Sequence, residues 1–139
     1  MKKLLKLLEK LEKLNLPKDK FAIYGSGPLG IRDIREINDL DLIVTPDLWK
    51  KLSKIYSIKG PDNERKIRIG EIEIVGNTIL YEAEKMIKEA DVVDGIRYVN
   101  LETLMKCKKK MGRKKDLKDI KLIKNYLKNL ALRGHPSKS

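Results

Sequence analysis

A chain of 139 residues is long enough to bury one hydrophobic core without cross-links. Its single cysteine, Cys107, excludes an internal disulfide, and no run of about 18 apolar residues is present to cross a membrane. The net charge of +12 is uneven, with +4 on residues 1–20, −2 on residues 21–100 and +10 on residues 101–139. A near-neutral middle between basic ends points either to a polyanionic partner, nucleic acid or nucleotide phosphates, or to lysine-rich helices that merely solubilise a small domain. With no signal peptide to read and one thiol, a cytoplasmic location is expected.

Residues 2–14 set Leu4, Leu7, Leu8, Leu11 and Leu14 on one helical face, with lysines and glutamates on the other. Asn15-Leu16-Pro17 ends that helix. Residues 20–24 read as a buried strand, and Gly25-Ser26-Gly27-Pro28 as a turn opening a short helix to about Ile37. Residues 39–44 read as a second strand. Pro46 starts another helix, with Trp49 and Leu52 as its core contacts. Residues 66–75 predict a hairpin bent at Gly70-Glu71, with Ile67 and Ile69 alternating on one arm and Ile72 and Ile74 on the other. Residues 80–90 predict a helix and 96–99 a strand. Asn100 caps a helix over 101–111, and a last helix covers 115–131. The tail 133–139, which holds the only histidine, His135, reads as disordered.

The pattern is α+β: a small mixed β-sheet flanked by helices, with a helical C-terminus. It predicts one domain over 1–132, with an amphipathic helix (1–16), a sheet core (20–100) and basic helices (101–132).

Asp39 and Asp41 alternate with Leu40 and Leu42. The strand period of two puts both carboxylates on one face and both leucines on the other. Their repulsion falls away if a divalent cation sits between them. Earlier in the chain, Gly25 permits a sharp turn and Ser26 opens a helix, where free amides favour phosphate. A third carboxylate is expected from the hairpin. Glu73, between Ile72 and Ile74, is the first choice, and Glu71, nearer the bend, the second.

The stretch GSGPLGIRDIREINDLDLIV resembles the signature of the nucleotidyltransferase superfamily with the DNA polymerase β-type fold. That signature runs hydrophobic residue, Gly, Gly or Ser, a spacer of about a dozen, then Asp-hydrophobic-Asp/Glu-hydrophobic. Tyr24, Gly25, Ser26, Asp39, Leu40, Asp41 and Leu42 occupy it, Tyr24 loosely. The later stretch GRKKDLKDI is similar to an Arg-x-Lys-Asp-x-x-Asp segment of small members, among them antibiotic nucleotidyltransferase-like proteins and abortive-infection toxins. The resemblance implies Mg²⁺-dependent transfer of a nucleotidyl group from a nucleoside triphosphate, ATP foremost, to a hydroxyl of a small molecule, protein or RNA. Asp39, Asp41 and Glu73 would be its catalytic and metal residues, although the family often has Asp in the third place. Gly25, Ser26 and Gly27 would bind the nucleotide. Lys108, Arg113 and Lys115 either reach the triphosphate or acceptor, or form a solvated basic helix face. The C-terminal helices, a second subunit or a partner protein would supply the acceptor site.

Other readings remain open at this point. A nucleotidyltransferase-like binding module, acting as an antitoxin or other partner or binding RNA, would share the same residues without catalysis. Asp39 and Asp41 could instead be solvated carboxylates on an edge strand, paired with Arg32, Arg35 or Arg68. Gly25, Gly27 and Gly30 spell the dinucleotide fingerprint G-x-G-x-x-G, but residues 21–44 are only 24 long, short of the roughly 30 that such a unit needs. Cys107 has no histidine to activate it and reads as a core residue.

Overall fold

The computed structural model describes residues 1–61, 65–76 and 82–133. The helix α1 (Lys2–Lys13) forms as its leucine spacing predicts and buries Leu4, Leu7 and Leu11. The strand β1 (Phe21–Tyr24) leads through the Gly25-Ser26 turn into α2 (Gly27–Ile31), only five residues long. Thereafter come β2 (Leu40–Val44), α3 (Pro46–Ser53), β3 (Ile58–Lys59), β4 (Lys66–Ile69), β5 (Ile72–Val75), α4 (Ala83–Lys88), β6 (Asp91–Val93), β7 (Ile96–Tyr98), α5 (Leu101–Met111) and α6 (Lys114–Leu132).

The fold is α+β, but the sheet is larger than expected. Seven strands lie in the order β3-β4-β5-β2-β1-β7-β6, with β2 in the middle. The pairs β2·β5 and β1·β7 are parallel and the rest antiparallel. The unforeseen strands, β3 and β6, are the two edges, two and three residues long. The hairpin turns at Gly70 with φ of +60°, as its sequence predicts.

Strand alternation divides the core. Phe21, Ile23, Leu40, Leu42, Ile67, Ile72 and Ile74 pack with the leucines of α1 and with Leu48 and Leu52 of α3. Trp49 is only half-buried against that cluster. On the other side, Ala22, Ile43 and Val75 pack with α4, with Leu101, Leu104 and Cys107 of α5, and with Ile123 of α6. Burial pushes the Cys107 thiol up to about 11, in keeping with a core role.

Two boundaries moved. The helix expected to reach Ile37 stops at Ile31, and Asp33 takes a positive φ of 56°. The segment that follows is instead fixed by ion pairs, Arg32 to Asp91 at 2.6 Å and Arg35 to Asp119 at 2.7 Å. The helix predicted over 80–90 is observed as Ala83–Lys88, its first two positions lying outside the described residues. Residues 134–139, with His135, also lie outside them.

Candidate active site

A single row of side chains crosses four strands on the sheet face that carries α5 and α6. Tyr24 of β1 pairs in register with Asp41 of β2, Asp41 with Glu73 of β5, and Glu73 with Arg68 of β4. Residues opposite one another in adjacent strands share a face. Two carboxylates, a phenol and a guanidinium are thereby fixed by backbone register. Asp39, one step before β2, reaches the same row, its Oδ1 lying 3.7 Å from Arg68 Nη2.

The edge-strand reading fails here. β2 is central, with β1 and β5 bonded to its two sides, and Asp41 is partly buried. Neither Arg32 nor Arg35 meets the aspartates, since they pair with Asp91 and Asp119. Only Arg68 does so, at Asp39.

Burial first, then the neighbouring charges of Glu73 and Asp39, push the Asp41 carboxyl up to about 6. The three carboxylates thus address one another electrostatically. Glu73 is the more constrained, its Oε1 3.1 Å from Lys66 Nζ and its Oε2 accepting from Arg68 Nη1 at 3.0 Å. Glu71 points elsewhere, towards Lys3 and Lys10 of α1, and these hold its carboxyl below the usual range. Glu73 is therefore the third carboxylate of the row.

The Gly25 turn closes against this row. Gly25 has φ of +69°, and a Cβ there would collide with Asp41 Oδ2. Only glycine brings the backbone this close to the carboxylate. Gly25→Ala is expected to cost about 1–3 kcal/mol through strain and displacement of Asp41, measurable as a lower urea midpoint. Gly27 is buried for another reason, since a Cβ would overlap Ile23 Cγ2 and lift α2 off β1. Ser26 occupies the N-cap of α2 without making a side-chain cap bond.

The basic residues of the C-terminal helices divide three ways. Lys108 is 5% exposed, with its Nζ 2.8 Å from Asp119 Oδ2 and 4.0 Å from Asp116 Oδ1. A triphosphate contact from Lys108 does not fit this geometry, because its ammonium already ties α5 to α6. Arg113 donates from Nε to Asp116 Oδ2 at 2.6 Å, and the same carboxylate accepts from the Arg113 backbone N–H at 3.1 Å. Half its side chain is exposed, and its charge is felt by both Tyr24 and Asp41. Lys115 is exposed on α6. Asp116, in the first turn of α6, closes a capping box with Arg113, and both Asp116 and Asp119 are buried.

Sequence reading placed Tyr24 only loosely in the motif, named Arg68 only as a possible ion-pair partner of the aspartates, and did not single out Lys66. Burial, then Asp41 and Glu73, push the Tyr24 phenol well above its ordinary value, so it stays a neutral donor at the end of the row. Arg68 could have been found: a two-residue bend at Gly70-Glu71 forces 68 opposite 73, and alternation with Ile67 and Ile69 puts it on the Glu73 face.

Comparison with protein-family models, curated proteins and solved structures finds no match.

A divalent cation fits this site by donor type. Three carboxylates supply the hard oxygen ligands that Mg²⁺ prefers, and the mutual repulsion at Asp41 is what a cation would relieve. Among the described residues, however, no three His, Cys, Asp or Glu side chains stand as a ready metal cluster. Arg68 and Lys66 hold Glu73 in the present arrangement. No helix among the described residues is long and apolar enough to cross a membrane.

Proposed function

We propose that this chain is a nucleotidyltransferase of the polymerase β-like type, moving a nucleotidyl group from a nucleoside triphosphate to an acceptor hydroxyl. The observation that carries the reading is Asp41. It is a partly buried carboxylate on the central strand, flanked in register by Glu73, backed by the Gly25 turn and joined by Asp39. A fold has no packing reason to place repelling carboxylates there.

Asp39, Asp41 and Glu73 would hold Mg²⁺, which when bound neutralises the phosphates and stabilises the attacking and leaving oxygens. The chain's own contribution is positional and acid–base. The tight turn at Gly25-Ser26 sets the backbone directly against the Asp41 carboxylate. Asp41 lies within the sheet between β1 and β5, whereas the Asp39 side chain, one step before β2, is 49% exposed. One of these three carboxylates would take the acceptor's proton. In the reaction the acceptor oxygen bonds to the α-phosphorus, the bond from that phosphorus to the bridging oxygen breaks, and pyrophosphate leaves. Tyr24 and Arg113 flank Asp41 as donors to phosphate or acceptor. The exposed lysines of α6, among them Lys115, Lys118, Lys121, Lys124 and Lys128, favour a polyanionic acceptor such as RNA.

The test is transfer of label from α-³²P triphosphates, offered one at a time with Mg²⁺ to the purified chain and a cell lysate. Label is expected on one class of acceptor, which then reveals whether it is RNA, protein or small molecule. Absence of labelling with all four triphosphates, or labelling that survives Asp39→Asn with Asp41→Asn, would count against the proposal.

A further inference from the structure

Arg68 bridges two of the three carboxylates that the proposed reaction assigns to the cation. Hairpin register sets it across from Glu73, and its Nη1 donates to Glu73 Oε2 at 3.0 Å. Its Nη2 lies 3.7 Å from Asp39 Oδ1. Lys66, two residues earlier on the same face, neutralises the other Glu73 oxygen at 3.1 Å. Three carboxylates thus face two fixed positive charges, and the oxygens a dication needs on Glu73 are both occupied. The Arg68 side chain is 44% exposed and lies two residues before the Gly70 bend, so it can swing away without opening the core.

We propose that Arg68 is a displaceable counter-cation that makes metal binding depend on the nucleotide. Without a ligand, its guanidinium holds Asp39 and Glu73 and competes with free divalent cation. When cation and triphosphate arrive together, Arg68 leaves the carboxylates and turns to the non-bridging phosphate oxygens, which its planar fork matches. The triphosphate supplies the replacement partner, so the metal enters readily only in its company. Arg68 is a positioning residue in this scheme. The inference rests on the nucleotidyltransferase reading and extends it to the order of loading.

The probe is Mn²⁺, titrated calorimetrically into the full chain, first alone and then in the presence of a non-hydrolysable ATP analogue. Wild type is expected to bind Mn²⁺ weakly alone and markedly better with the analogue. Arg68→Gln should bind free Mn²⁺ about tenfold more tightly and the Mn²⁺–analogue complex about tenfold more weakly, collapsing the difference between the two titrations. Arg68→Lys, which keeps the charge, should stay near wild type for free Mn²⁺. If both proteins bind Mn²⁺ with the analogue but Arg68→Gln leaves free Mn²⁺ affinity unchanged or lower, the proposal for Arg68 is overturned and the nucleotidyltransferase reading survives. If neither protein binds Mn²⁺ under either condition, both are overturned.

Discussion

Asp41→Asn is expected to abolish catalysis while making the ligand-free protein more stable. Loss of a carboxylate that would hold the cation or take the acceptor's proton lowers transfer by about 10²–10⁴-fold. The stability change runs the other way. The Asp41 carboxyl lies near 6 in the folded chain against an ordinary 3.8, so between these values the folded state binds more protons than the unfolded state. Stability associated with Asp41 is full below about pH 4 and is lost as pH rises through about 6. Asparagine does not ionise and escapes that loss. The substitution should therefore add about 2–3 kcal/mol at pH 7.5 and little at pH 4, since a tenfold change in proton affinity corresponds to about 1.4 kcal/mol. Urea denaturation at the two pH values measures this directly. A residue that costs stability when ionised and is needed for transfer is the signature of a functional carboxylate.

Lys108→Met is expected to destabilise the protein by about 3–5 kcal/mol. Lys108, Asp116 and Asp119 are all at least 95% buried. Removing the ammonium leaves two buried carboxylates to Arg35 and Arg113, which approach from the rim. Burial opposes ionisation of Asp119, but Arg35 and Lys108 together hold its carboxyl below the usual range. Without Lys108 that balance shifts, and the contact between α5 and α6 loosens over the carboxylate row. Adding Asp119→Asn to Lys108→Met should recover part of the loss, since the amide can be buried without a counter-charge. A urea midpoint unchanged in Lys108→Met would mean that the ion network carries no net weight.

Much of the site was legible because strands write their geometry in a period of two. Asp39 and Asp41 against Leu40 and Leu42, and Glu73 between two isoleucines, needed only alternation. The mixed α+β character followed from the same patterns. What failed was tertiary. The spacing of Ile31, Ile34 and Ile37 imitates a helix, yet ion pairs from Arg32 and Arg35 to distant segments outweigh that local preference. The strands β3 and β6 are too short to show periodicity and exist through their partners. Lys108 was read, with Arg113 and Lys115, either as a triphosphate or acceptor contact or as part of a solvated basic helix face. Its place four residues after Leu104, beside Cys107 on the apolar stripe of α5, was the signal that it turns inward. Asp116 and Asp119 carry the same signal, sharing the buried stripe of α6 with Ile123.

Thermal unfolding with and without Mg²⁺ and ATP tests the carboxylate site most directly. Wild type at a hundredfold excess over Kd should gain about 2–3 kcal/mol, only when both ligands are present, and Asp39→Asn with Asp41→Asn should gain none. A wild-type midpoint unmoved at millimolar Mg²⁺ and ATP, or a shift that persists in the double variant, would contradict a metal–nucleotide site at Asp39, Asp41 and Glu73.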